Sequence, residues 1–309
     1  MTSVTEHDEL RAAVRSFLDG HAPLRSEPTP HVWQRMCREL GLTGFGLADF
    51  AALAVVAEET GRVLLQAPYL STAVAAVVLA EVGADDLLAR LIDGSSTAAL
   101  AVDGCRQVAD AGQAGLLLVA GPDGLHAHED FTATPLRPLD PTRPLADVEL
   151  GTGGARQLGG PVDAALLRRL LLVALAAESV GAARECLQLT VEHLRVREQF
   201  GRPLGSFQAL RHRVADLTVE LEGATSTAWH ATHAAAATSP ELAVAAPLAK
   251  AMCSDAFAHI AGEMIQLHGG IGFTWEHSAH LYFKRAWTTR LTHGDSAALR
   301  REAFDLAEW

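Results

Sequence analysis

Glu192–Asp216, EHLRVREQFGRPLGSFQALRHRVAD, is the stretch whose reading decides the fold. It closes a helix that carries Leu187, Val191 and Leu194 on one face. The helix breaks at Gly201 and Pro203, because a proline ring cannot continue a helix interior. A second helix restarts near Ser206. Arg197 enters the turn between them and Gln208 leaves it, so a cation and an amide can face one ligand or one neighbouring chain. The planar donor fork of arginine suits phosphate oxygens. The plainer alternative is a helical hairpin with solvated arginines and with Phe200 and Phe207 in the core.

Working outward, residues 6–20, 30–41 and 49–62 repeat apolar positions every three or four residues, as in Leu10, Val14, Phe17 and Leu18, and predict amphipathic helices. Thr29-Pro30 reads as a helix start, with proline at the first helical position. Residues 68–82 and 84–93 are rich in Ala, Val and Leu and predict two more helices, buried on most sides. The period then changes. Thr97–Val102, Gly115–Ala120, Leu125–His128 and Ala146–Glu149 are short runs bounded by turn residues and predict strands, with Pro122-Asp123-Gly124 as a hairpin signal. Beyond an exit linker at 151–160, residues 163–195, 204–236, 240–268 and 276–306 predict four long helices. Faces made of Ala174, Ala176, Ala177, Ala182 and Ala183 allow such helices to approach closely. The expected architecture is mainly α with a small β domain: an N-terminal helical domain (1–95), a short middle β domain (96–160) and a C-terminal four-helix bundle (161–309).

Composition limits the partners. The chain has 309 residues, of which 49% are hydrophobic and 20% charged, enough to bury a substantial core. Its 25 Lys plus Arg against 37 Asp plus Glu give a formal charge of -12, so no basic face is expected for nucleic acid. The opening MTSVTEHDELRAAVRSFL has no basic segment followed by an apolar one, unlike a secretion signal. Arg168 and Arg169 interrupt the longest apolar run, Leu166–Ala177, which is too short to cross a bilayer. Cys37, Cys105, Cys186 and Cys253 have no CxxC spacing, which speaks against a zinc site or a disulfide framework and for a reducing cytoplasm. His230 and His233 share a helical face, but no acidic residue stands at a matching ligand position, so no metal is expected.

Two motifs carry a resemblance. Arg197–Asp216 reads R-x-Q-F-G-R-P-L-x-x-F-Q-x-x-x-H-x-x-A-D, and Gln266-Leu267-His268-Gly269-Gly270-Ile271-Gly272-Phe273-Thr274 reads Q-x-x-G-G-x-G-F. In this order, and with this succession of helices, strands and helices, they resemble the acyl-CoA dehydrogenase family, flavoproteins that desaturate acyl-CoA thioesters. The resemblance implies FAD shared between two subunits, its isoalloxazine on the β domain of one and its adenosine diphosphate half on the helical domain of the other. It assigns Arg197 to the pyrophosphate, Phe200 to its aromatic neighbour and Gln208 to the adenine side. Gln266, Gly269 and Gly270 fall on a second contact where small residues let backbone approach the cofactor.

The chemistry is less well provided for. Desaturation needs a carboxylate to take the α proton while the β hydride leaves for the flavin. The family places a Glu either in an E-G-T run after the Gly-Gly turn or near the start of the C-terminal domain. The first place is His293 in Thr292-His293-Gly294-Asp295, and the second falls near Leu171. A relocated base would be His293, whose imidazole suits general-base work, or Asp295; both residues also suit a loop or a helix cap. The family's T-E-P-x-x-G-S-D loop and W-x-T/S-N-G strand have no counterpart between Ser96 and Gly160, where Thr134-Pro135 lacks the acidic and glycine partners.

The resemblance therefore implies a cofactor-completing, non-catalytic subunit of a heteromeric acyl-CoA dehydrogenase. Its partners would be a longer subunit carrying the catalytic Glu, an acyl-CoA substrate of a bulky, sterol-derived kind, and an electron-transfer flavoprotein or similar acceptor. Two alternatives stay open: a homo-oligomeric enzyme of the same fold using Asp295 or His293 for desaturation or for dehydration of an acyl thioester, and a flavin-free binding scaffold.

Overall fold

The computed structural model describes residues 4–22, 24 and 30–307. The chain opens with helices α1 (Val4–His21), α2 (Pro30–Leu40), α3 (Phe45–Ala48), α4 (Phe50–Arg62), α5 (Tyr69–Glu81) and α6 (Asp85–Ile92). Pro30 begins α2 as the sequence predicts, while Thr29 lies outside the described residues. The apolar spacing in α1 buries Val14 and Leu18 completely, and its polar edge is tied down by Arg11 on Glu58 (2.9 Å) and Arg15 on Glu59 (2.9 Å). Those acids belong to α4, which is buried along almost its whole length.

Seven strands follow: β1 (Ala98–Ala101), β2 (Val108–Ala109), β3 (Leu116–Gly121), β4 (Gly124–His128), β5 (Phe131–Pro135), β6 (Leu145–Leu150) and β7 (Arg156–Gly159). They form one sheet in the order β1-β3-β4-β7 and a second in the order β2-β6-β5. β3 and β4 turn at Pro122-Asp123, with Gly121 opposite Gly124, as the hairpin signal predicts. The sequence suggests five or six short strands and places four; β2, β5 and β7 are the ones it does not place. The last lies inside the stretch read as a linker; Arg-Gln-Leu-Gly shows no apolar alternation, and antiparallel pairing with β4 makes it a strand.

The C-terminal part holds α7 (Pro161–Val196), the two-stranded β8 (Glu198–Gln199) and β9 (Arg202–Pro203), then α8 (Gln208–Ala236), α9 (Leu242–His268), α10 (Ala279–Leu291) and α11 (Ser296–Leu306). The predicted fourth helix is thus two. His293 (φ 60°) and Gly294 (φ 103°) leave the helical region, and Asp295 restarts it by accepting the Ala298 N–H at 2.8 Å. Lys250 of α9, fully buried, donates to the carbonyls of Gly294 (2.8 Å) and Arg290 (3.2 Å), which the break leaves without helical partners. Burial lowers its pKa to about 8. The alanines singled out on α7 are all buried, and one continuous core runs from α1 through the bundle to the inner face of the first sheet. A smaller apolar cluster, around Leu117, Val108 and Val148, fills the space between the sheets.

Candidate functional site

α7 stops at Val196, and the Arg197 N–H bonds back to the His193 carbonyl at 2.9 Å. Arg197 in turn accepts the Leu204 N–H at 2.8 Å, which pins the connection between the helices. The break is a miniature hairpin: Glu198 pairs with Pro203 and Gln199 with Arg202, leaving Phe200-Gly201 as a two-residue loop with φ of 57° and 76°. Two positive φ values are those of the mirror-image type I turn that suits a two-residue hairpin. Glycine accepts this freely, but an aromatic residue there is strained by about 1–3 kcal/mol.

Phe200 is also 91% exposed, so it is not core, contrary to the plainer reading of this stretch. Its ring meets the edge of Phe207, at 6.2 Å, and Phe207 carries the Arg202 guanidinium 4.0 Å from its ring centre. Arg197, Gln208 at the start of α8 and Gln266 in the last turn of α9 are exposed, and their side chains have no hydrogen-bond or ionic partner among the described residues. Gly269 ends α9 at φ 63°, and a β-carbon at Gly269 or Gly270 would meet open space. Gly272 folds the turn back so tightly that a β-carbon would lie 2.7 Å from the Ile265 carbonyl oxygen. Ring stacking between His193 and His268, 4.3 Å between centres, sets this turn beside the end of α7. Unpaired donors, a strained exposed aromatic ring and open glycine backbone are features that could hold the diphosphate and adenine of FAD.

The two places of the family's base also come together. Leu171 on α7 and His293 border one cavity of about 50 Å³. Its floor is charged: Arg285 of α10, 2% exposed, donates to Asp140 (2.7 Å), Glu178 (3.1 Å) and the Thr142 carbonyl (2.7 Å), and Arg143 contacts the other Glu178 oxygen. Asp110, in a left-handed conformation (φ 62°), accepts from Ser71 at 3.0 Å; burial raises its carboxyl pKa against the pull of Arg143. The Tyr69 hydroxyl, buried and without a hydrogen-bond partner among the described residues, belongs to a residue of the same lining.

His293 also borders an open groove of about 480 Å³, shared with Asp103, Arg106, Arg137 and Leu139. Its Nδ1 lies 2.7 Å from Asp103, whose pKa is lowered by that bond and by Arg168 at 3.6 Å, against the effect of burial. Asp295 is exposed, caps α11 and borders neither concavity, so the two candidate bases are not equivalent. Asp103, Asp110, Arg143, Glu178 and Arg285 escaped sequence reasoning. The one local signal was Asp140-Pro-Thr142, whose aspartate accepts the Thr142 N–H (2.8 Å) as turn chemistry expects.

Among the described residues no group of three or more His, Cys, Asp or Glu could hold a metal ion, and no helix is long and apolar enough to cross a membrane. His233 bonds the Trp229 carbonyl at 2.7 Å. The four cysteines are free.

The family model described as acyl-CoA dehydrogenase, C-terminal domain, matches residues 172–303. Over 97% of this chain and 97% of its relative, the sequence is 36% identical to acyl-CoA dehydrogenase IpdE2 of Mycobacterium tuberculosis. The chain belongs to the acyl-CoA dehydrogenase family. Among solved structures, the Tcur3481-Tcur3483 steroid ACAD G363A variant superposes with a TM-score of 0.88 at 29% identity, covering 98% of this chain and 97% of that one. The ChsE4-ChsE5 complex from Mycobacterium tuberculosis also gives 0.88, at 23% identity, over 100% of this chain and 99% of that one, and shares the fold. The helical, β and helical succession is thus that of the acyl-CoA dehydrogenase fold.

Proposed function

We propose that this chain is the non-catalytic, FAD-completing subunit of a heteromeric acyl-CoA dehydrogenase that introduces an α,β double bond into a bulky, steroid-derived acyl-CoA. One observation carries the reading. In the cavity on which both base positions converge, those two positions hold Leu171 and His293 and not a carboxylate, Glu178 is taken up by Arg285 and Arg143 and Asp110 by Ser71, and about 50 Å³ is open. Small-molecule sites are commonly about 300–1,000 Å³, so this cavity by itself does not enclose an acyl group. The nucleotide end, by contrast, keeps its free side chains. The steroid ACAD neighbour bears a two-part designation, Tcur3481-Tcur3483, which supports both the two-chain assembly and the substrate class.

In this reading Arg197 donates to the diphosphate oxygens. Gln208 and Gln266 fix the adenosine half, and the Gly269-Gly270 backbone lies against it. The chemistry a bound flavin supplies is acceptance of a hydride from the acyl β carbon. A longer subunit supplies the carboxylate for the α proton and the β-domain surface for the ring. An electron-transfer flavoprotein or similar acceptor then reoxidises the assembly.

The test is to purify this chain alone and together with a longer family member encoded beside it. The expected result is a colourless protein alone and a yellow, active complex together. Arg197→Ala in that complex should weaken FAD binding about 10- to 100-fold, the effect of losing a charged hydrogen bond. A yellow, active protein from this chain alone would defeat the proposal.

The His293–Asp103 pair on the open groove favours a second reading, general-base chemistry on an acyl thioester without a redox step, such as dehydration of a β-hydroxyacyl group. His293→Gln discriminates. Turnover of the complex should be unchanged if the partner supplies the base, whereas loss of about a hundredfold or more would favour this reading.

A further inference from the structure

Three imidazoles are packed together at the end of the bundle that carries Arg197. His193, in the last turn of α7, stacks on His268, the last residue of α9, with ring centres 4.3 Å and planes 29° apart. His277, in the turn before α10, packs on His268 with centres again 4.3 Å apart. Each belongs to a different segment. The His193 carbonyl accepts the Arg197 N–H at 2.9 Å. His268 precedes Gly269, and its β-carbon would lie 3.1 Å from a β-carbon on Gly272. The Nδ1 of His277 accepts the Ala279 N–H (3.1 Å) that opens α10.

These bonds also fix where the protons are. His268 Nδ1 faces the Met264 carbonyl at 2.7 Å and must carry the hydrogen, whereas His277 Nδ1 accepts and leaves its hydrogen on Nε2. Beside the rings themselves, Arg197 is the charged group that acts on His193, and Glu276 neighbours His277 in the chain. No carboxylate contributes to the shift of His193 or His268.

We propose that His193, His268 and His277 are positioning residues that hold Arg197 and the Gly269–Phe273 turn in one geometry for a dinucleotide's diphosphate, and that protonating His193 and His268 loosens both segments together. The proposal rests on the nucleotide-gripping reading above. Burial, then His268 and Arg197, lower the pKa of His193; burial lowers that of His268, against its bond to Met264. The sign follows from the depressed values. Neutral His193 and His268 contribute above the ordinary histidine value of 6.5, and that contribution is lost as the pH falls below it toward their folded-state values.

The test uses the full chain and ADP as the probe, with affinity measured by equilibrium dialysis at about pH 7.5 and 5.5 on either side of the histidine range. Wild type should bind about tenfold more weakly at the lower pH, and His193→Phe, which keeps a ring and removes a titrating group, should flatten the difference. Affinity independent of pH in wild type, or an equal slope in His193→Phe, overturns the proposal. A second readout needs no nucleotide: amide exchange, corrected for its intrinsic rate, should speed up together at 194–204 and 269–275 in acidified wild type. Unchanged or unrelated exchange in the two segments overturns the coupling. Paired exchange without ADP binding at either pH would instead refute the nucleotide grip and leave the coupling standing.

Discussion

Arg285→Ala is expected to destabilise the protein by about 3–5 kcal/mol, the cost of stripping one partner from a buried ionic cluster. Arg285 is 2% exposed, Asp140 fully buried and Glu178 5% exposed, so the carboxylates it leaves behind have almost no access to water. Asp140 would keep the Thr142 N–H (2.8 Å) and hydroxyl (2.6 Å) and the weaker pull of Arg143, and Glu178 would retain Arg143. Lysine should not rescue. Five donor contacts fan out from the Arg285 guanidinium to Asp140, Thr142 and Glu178, and a single ammonium cannot reproduce that fork.

The pH dependence separates this loss from lost packing. Burial would raise the Asp140 pKa, but Arg285 first, then the Thr142 donors and Arg143, hold it below the usual carboxylate value. A depressed carboxylate contributes above its unfolded value and loses that contribution as the pH falls through the folded one. Urea denaturation of wild type should therefore show stability falling through the acid range, with a shallower fall in Arg285→Ala. Arg285→Met/Asp140→Asn, which removes the uncompensated charge, should recover part of the loss. Full wild-type stability in Arg285→Ala would contradict the cluster's structural role, and with it the account of why the cavity is filled.

What the sequence made legible, and what it hid, divides along physical lines. Helix periodicity is local, so the helices around Val14, Leu79 and Ala174 could be read directly. The nucleotide-end residues were legible because they stand within one or two short segments: Arg197, Phe200 and Gln208 in one, Gln266, Gly269 and Gly270 in the other. The charged floor was not, because Asp140, Glu178 and Arg285 lie far apart in the chain and each is unremarkable locally. Arg285, in a helix with Lys284 and Arg290, reads as a solvated cation until α7 and the segment between β5 and β6 close over it. The histidine stack was hidden for the same reason: His193 and His268 meet through the packing of α7 against α9, and the turn after α9 brings His277 back onto His268. The broken last helix had a local sign, Gly294 followed by a capping aspartate, but Ala-Ala-Leu beyond it continues the helical pattern and masks the interruption.

Gly181→Ala should be the most damaging small substitution on the helices, with a loss at or beyond the upper end of the ~1–3 kcal/mol typical of overpacking. A β-carbon at Gly181 would lie 1.8 Å from the Glu58 carbonyl oxygen, and one at Gly61 would lie 2.1 Å from that of Glu178. The two glycines face each other's helices at the crossing of α4 and α7, and the obstacle in both cases is backbone, so no side-chain rotation can relieve it. Helix propensity works the other way, since alanine is favoured over glycine by about 1 kcal/mol in a helix interior. Gly223→Ala on α8, where a β-carbon meets nothing within 4 Å, isolates that term and should stabilise by about that amount. Opposite shifts in denaturation midpoint are thus expected from the same chemical change; two shifts of the same sign would show that the crossing is looser than described. The crossing also bears on the site, because Glu58 holds Arg11 (2.9 Å) and Arg184 (2.6 Å) while Glu178 holds Arg285 and Arg143. Forcing α4 from α7 shifts the backbone that carries both acids, so Gly181→Ala should also disturb the buried cluster that fills the cavity beneath His293.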